Sequence, residues 1–178
     1  MKSGLIGGST ILLAAALAGC TSVAGGGAAG GVDVSRTHLG QPIARAQIAI
    51  EPANLAEANS PEFRAVAAAV ERELGRSGYT VVPMSRTSEQ VARVDVRQGS
   101  HAALTTGWPG VQPRRASAAT AMLLDVRIQR RSDGTVFWQG RAVDEGPANA
   151  DRTAMLDRLA TALFRDFPGE SGRTIRVR

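Results

Sequence analysis

Few side chains in this 178-residue sequence could do chemistry, and their spacing decides which of them matter. Cys20 is the sole cysteine, so the chain has no means of making an internal disulfide or a cysteine-based metal site. The histidines are His38 and His101, far apart and without the helix-spaced partner that zinc ligation uses. Ser35 near His38 and Ser100 beside His101 have the residue types of a hydrolase pair. Neither serine sits in a Gly-x-Ser-x-Gly turn, which presents a nucleophile on a strained corner. The glycine runs 25–27 and 30–31 follow no strand and open no helix, so they lack the setting of a phosphate cradle. Glu71, Glu73 and Asp125 fall on expected solvated faces, and Asp133 in an expected turn. His38 and His101 read as ordinary loop or strand-end residues. The expectation is no catalytic set, no metal, no cofactor and no enzyme.

The thiol of Cys20 remains, and the residues ahead of it give it a use. Lys2 supplies a cationic start, Ile11 to Ala18 an apolar run, and small residues precede a cut: the three parts of a secretory signal. The run is too short to span a bilayer core, which needs ~20 apolar residues. Leu17-Ala18-Gly19-Cys20 looks like the lipobox of bacterial lipoproteins. That resemblance implies a diacylglyceryl thioether on Cys20, cleavage before it and an acylated new N-terminus. Several acyl chains hold a protein stably, since each buried methylene contributes ~0.8 kcal/mol and one chain alone is marginal. Thr21, rather than Asp, follows the cysteine; by Gram-negative sorting rules this implies the outer membrane, with the domain facing the periplasm. Residues 1–19 are thus expected to be a signal peptide. Residues 20–31 are the lipidated cysteine and a Gly/Ala tether with a coil reach of ~15–20 Å.

The net charge is +5, and Lys2 is the only lysine, so every other cation except histidine is arginine. Such a bias accompanies GC-rich coding. It also supplies guanidinium forks that bind phosphate or carboxylate in a bidentate way. For an envelope lipoprotein, the expected partners are the membrane through its anchor and an envelope protein or anionic envelope component; nucleic acid is not expected.

The positioning elements follow from hydrophobic period. Val32 and Val34 alternate with Asp33 and Ser35, and Ile48 and Ile50 with Gln47, Ala49 and Glu51, as in strands. Pro42 between them predicts an edge or a bend. Ser60-Pro61-Glu62 opens a helix over 61–76, with a stripe through Phe63, Val66, Val70 and Leu74. A short strand ends at Pro83, and Val91 to Gln98 alternates as a half-buried one. Residues 99–119 break the regularity, and long irregular segments are functional or disordered. They hold the candidate contact residues Trp108, Arg114 and Arg115; Trp108 either points outward as a contact or tucks over the sheet. A hairpin follows. Met122, Leu124, Val126 and Ile128 line one face, Asp133-Gly134 turns, and Val136, Trp138, Gly140 and Ala142 return. A second helix carries Met155, Leu156, Leu159, Ala160, Leu163, Phe164 and Phe167 up to Pro168-Gly169. Residues 174–178 add a short strand or stay loose. The expected fold over residues 32–178 is a single α+β domain. It is a mostly antiparallel sheet of about six strands, with two amphipathic helices on one face.

These residues resemble the DUF4136 lipoproteins. The lipobox, the N-terminal strand pair, Met122 to Val126 leading through Asp-Gly to Trp138-Gln139-Gly140, and a final helix running into Phe167-Pro168 carry the likeness. It implies a fold and a location, and no catalytic residues. The expected role is a non-enzymatic binding or scaffolding domain of the envelope. The alternative is an accessory subunit of a lipid or lipopolysaccharide transport system, which predicts an apolar groove.

Overall fold

The structure is a computed structural model that describes residues 31–84, 88–111, 120–146 and 150–178. Its strands are β1 (Val32–His38), β2 (Gln47–Pro52), β3 (Thr80–Val82), β4 (Gln90–Gly99), β5 (Ala121–Arg130), β6 (Val136–Glu145) and β7 (Thr174–Val177). The helices are α1 (Pro61–Arg76), α2 (His101–Leu104) and α3 (Arg152–Phe164). All strands join one seven-stranded sheet in the order β3-β2-β4-β5-β6-β1-β7. The expected α+β class and antiparallel majority are found, with seven strands in place of about six. The added strand is the C-terminal tail, which pairs with β1. The parallel part is β3-β2-β4, and α1 makes the crossover from β2 to β3.

Alternation sends one side chain of each pair to each face. Across the sheet, Ile175, Val34, Ala142, Leu124 and Val96 form a continuous apolar row on one side. Helices α1 and α3 cover that side. Ser60 caps α1, its Oγ accepting from Phe63 N at 2.9 Å, and Asp151 caps α3 by accepting from Thr153 N at 2.9 Å. The two helices are tied by Thr161 Oγ1, which donates to Glu73 Oε1 at 2.9 Å, and by the Arg72–Asp157 pair. Glu73, expected on a solvated face, is therefore buried between helices.

The Trp-x-Gly element has a packing cause. Trp138 is fully buried, stacks on Phe164 (5.4 Å between centroids) and Phe167 (5.2 Å), and donates from Nε1 to Pro168 O at 2.9 Å. Its ring folds back over Gly140, where a Cβ would collide with the indole and with Leu163 Cδ1. A register shift at Ile128/Gln129 breaks the expected alternation at the start of β6. Phe137 therefore packs against the helix-side core, while Val136 is exposed.

Helix α3 stops at Phe164, three residues before the end of its apolar stripe, and Arg36 caps it there. This arginine on β1 is 3% exposed. It donates to three carbonyls at the helix end: Nε to Leu163 O at 2.9 Å, and Nη2 to Ala162 O at 2.9 Å and Arg165 O at 3.0 Å. A cation at the negative end of the helix dipole is favoured there. Burial pushes its pKa down, nearby Asp166 pulls it back up, and Arg165 adds to the lowering.

Candidate functional site

The other side of the sheet has no long helix over it. Its cover begins where β4 ends: Ser100 Oγ accepts from Ala103 N at 3.3 Å and caps the single-turn α2. Thr105 and Thr106 donate their hydroxyls to the carbonyls of His101 and Ala102, and Gly107 turns the chain in left-handed geometry with φ 76°. Trp108 N then donates to Thr105 O at 3.0 Å. These bonds lay Trp108 over the sheet. It is 6% exposed and closes a small second core with Ala121, Leu123 and Val143, edged by Leu104 and Val111. Of its two expected places, Trp108 takes the one over the sheet. The Arg141 guanidinium lies 4.9 Å from the centre of its ring, a cation–π contact.

Beneath α2 lies a buried ion cluster drawn from three elements. His101 Nε2 donates to Asp33 Oδ2 at 2.8 Å, and Arg176 on β7 approaches Asp33 Oδ1 at 3.3 Å. His101 is 4% exposed and Asp33 8%. An imidazole oriented by a carboxylate is the arrangement of a general base, which works through its other ring nitrogen. Here that nitrogen, Nδ1, is closed from solvent and has no hydrogen-bond partner among the described residues. In this geometry the pair fastens α2 to β1.

Away from α2 the face is a lattice of charges. One row runs Arg141, Asp125, Asp95 and the next Gln139, Arg127, Arg93, Glu51. Asp125, expected on a solvated face, is 3% exposed. It stands directly opposite Asp95, a destabilising placement for like charges. Two contacts offset this: Gln139 Nε2 donates to both Asp125 oxygens (2.9 and 3.2 Å), and Arg127 Nε lies 3.4 Å away. Arg97 pairs with Asp95 at 3.2 Å, and Glu51 takes Arg131 at 2.7 Å and Arg93 at 3.6 Å.

Of the residues singled out from sequence, Leu17, Ala18, Gly19, Cys20, Arg114 and Arg115 lie outside the described residues. His38 and His101 are kept apart at opposite ends of β1. His38 Nε2 donates to Gly169 O at 3.0 Å, while His101 reaches Asp33 near the strand's start. Asp33, Asp125, Arg141 and Arg176 were missed as members of one face. Their alternation with apolar residues places them on it, but the burial of Asp33 depends on α2 returning over the sheet and that of Asp125 on Gln139 of the neighbouring strand. Among the described residues no group of histidine, cysteine and carboxylate side chains could hold a metal ion. Among them, too, no helix is long and apolar enough to cross a membrane.

No family model matches the chain, so the DUF4136 likeness gains nothing from that comparison. A stretch of 59 residues, 32% of the chain, is 44% identical to an uncharacterized protein of Zymomonas mobilis. The match spans only 22% of that relative's length. Among solved structures, a PDZ domain protein from Parabacteroides distasonis is similar with a TM-score of 0.53 at 12% identity. The likeness covers 82% of this chain and 38% of that one. The PelC dodecamer from Paraburkholderia phytofirmans gives 0.50 at 12% identity, covering 79% of this chain and 99% of the other. At such identities the likeness is one of fold alone: a mixed sheet with helices on one side.

Proposed function

We propose that the chain is an envelope lipoprotein, anchored through an acylated Cys20, whose folded part binds a protein or an anionic envelope component and performs no catalysis. The carrying observation is the asymmetry of the sheet. Helices α1 and α3 take one side, whereas Arg93, Arg97 and Arg127 on the other side keep 35%, 55% and 53% of their side chains exposed. Each leans on a carboxylate through only part of its donor fork, which leaves N–H groups for an incoming carboxylate or phosphate. Trp108 and Arg141 border this field on the α2 side. The transport-subunit alternative predicts an apolar groove, and the two cavities beside the helices mix apolar and charged walls. One of 410 Å³ is lined by Phe164 and Phe167 together with Arg45, Glu73, Arg76 and Asp166, and one of 490 Å³ by Ala68, Tyr79 and Val81 together with Glu71 and Arg72.

Two experiments test the two halves of this reading. A pull-down from membranes compares wild type with the Arg93→Glu/Arg127→Glu variant, which is expected to lose partners. Identical partner sets would remove the open face as the contact surface. For the anchor, Cys20→Ser is expected to shift the chain from the membrane fraction to the soluble one with its fold intact. Continued membrane association of that variant would overturn the anchor.

A further inference from the structure

A second surface lies at the far end of the sheet, where β1 ends, β4 and β6 begin, and the 39–46 connection crosses between strands. Two of the ties that hold this connection flank a hollow. Gly40 N donates to His38 Nδ1 at 3.1 Å, and Gln90 Nε2 donates to Ala44 O at 3.1 Å. Between them the chain walls a cup of 250 Å³ with Leu39, Pro42, Ile43 and Phe137. Leu39 is 66% exposed, the largest value among the bulky apolar side chains described, and Val136 beside the cup is 38% exposed.

The polar groups at this cup are unevenly satisfied. Gln90 is 5% exposed, and its Oε1 is buried without a hydrogen-bond partner among the described residues. An unmatched buried acceptor costs ~1–3 kcal/mol, which a donor arriving from outside would relieve as the connection shifts. Arg130 is already committed: it pairs with Asp133 at 2.7 Å and lies over the Phe137 ring at 5.2 Å. Arg131, the next cation, turns to Glu51. Glu89 is exposed and has no ion pair among the described residues, so the rim's unneutralised charge is negative although the chain carries +5.

We propose that this cup binds an extended peptide segment of a partner protein in which a bulky apolar side chain sits next to a lysine or arginine. The apolar side chain covers Leu39 and fills the space over Phe137, the cation meets Glu89, and a backbone N–H reaches Gln90 Oε1. Charge disfavours an anionic lipid surface as the occupant, because Glu89 repels it and the one cation lining the cup among the described residues, Arg130, is paired with Asp133. Position agrees: the cup sits at the His38 end of β1, about 20 Å from the Val32 end where the tether would enter, at ~3.3 Å per residue. That orientation away from the membrane rests on the anchor proposed above; the cup's chemistry does not.

The test uses the full lipidated chain in nanodiscs and four pools of short fluorescent peptides, random except for a central Leu-Lys, Leu-Glu, Ser-Lys or Ser-Ser pair. Fluorescence anisotropy is expected to show binding of the Leu-Lys pool. Leu39→Ser and Glu89→Lys, both substitutions of exposed side chains that leave the fold intact, are each expected to weaken it about tenfold or more. Gln90→Met removes the acceptor and is expected to weaken it less. Equal binding of all four pools, preference for Leu-Glu, or binding untouched by Leu39→Ser would overturn the proposal. So would a doubled mass by light scattering that Leu39→Ser abolishes, which would give the cup to a second copy of the chain. Running the same titration on Cys20→Ser separates the two readings. Peptide binding with persistent membrane association leaves the cup standing and removes the anchor; release from the membrane without binding does the reverse.

Discussion

On its helix side the sheet buries Trp138, Leu124, Ile128 and Val34 completely, whereas on its other side Trp108, Ala121, Leu123 and Val143 form a small core under a four-residue helix. The first face is held by area and shape, through two long amphipathic helices. The second is held by specific polar ties: His101 to Asp33, Arg176 to Asp33, Arg141 to Trp108. Burial energy scales with area, so the helix side should set global stability. The open side should set local opening, since few buried apolar contacts mean a low opening cost. A segment that opens cheaply beside a field of arginines is where a partner can be accommodated without unfolding the domain.

The largest test of that contrast is Trp138→Ala. Truncating a fully buried tryptophan that stacks on Phe164 and Phe167 is expected to cost about 3–5 kcal/mol in urea denaturation. Gly140→Ala, which forces a methyl into the indole, is expected to cost about 1–3 kcal/mol. A Trp138→Ala cost below that of any open-face substitution would break the comparison.

Next in size is Arg36→Met, which keeps the length of the side chain and removes the donors. Three carbonyls at the end of α3 lose their partner, for an expected cost of about 2–4 kcal/mol. Hydrogen exchange should quicken most in the last turn of α3. Uniform exchange across the domain with no loss of stability would mean that Arg36 does not hold the helix end.

These two sites show why sequence disclosed one face better than the other. Met122 to Ile128 and Phe63 to Leu74 repeat with clean periods, because a face covered along its whole length demands an apolar residue at every turn of the pattern. The tryptophan of the hairpin and both helices were legible for that reason. Arg36 was not: an arginine among the alternating residues of β1 reads as solvated unless α3 is known to end against it. Asp33, Asp125 and His101 share that problem. Their burial comes from residues 68 positions away (His101 over Asp33) or from a neighbouring strand (Gln139 beside Asp125), and pattern within a strand carries no trace of either. The irregular span 99–119 gave notice that something other than regular structure was present and left open whether Trp108 points outward or returns to the sheet, which it does.

On the open side, His101→Ala is expected to cost only about 1–2 kcal/mol globally, since it removes one hydrogen bond to a carboxylate and leaves Asp33 with Arg176. Its main effect should be local. Proteolysis and hydrogen exchange over residues 100–111 are expected to accelerate while α1 and α3 are unchanged. Asp33→Asn should produce the same local signature. An equal acceleration in the helices would show that α2 is not a separately opening unit, and the two faces would then be one cooperative structure.

The smallest effect runs in the opposite direction and tests the helix side from within. Tyr79 packs edge-on against Phe167 at 6.0 Å, and its hydroxyl is buried without a hydrogen-bond partner among the described residues. Burial pushes its pKa up to about 12 from 10.0, with Arg45 opposing. Between those values the unfolded chain releases the phenolic proton and the folded chain retains it. Stability therefore falls as pH rises through that window, by about 2–3 kcal/mol at its end. Tyr79→Phe removes an unmatched polar group from an apolar site and is expected to stabilise the domain by about 1 kcal/mol at neutral pH. It should also remove this residue's share of the alkaline loss, so the gain over wild type widens above pH 10 in denaturation series. A destabilised variant would mean that the hydroxyl has a partner in solution. The helix side would then carry one more polar tie beside those of Arg36 and Trp138.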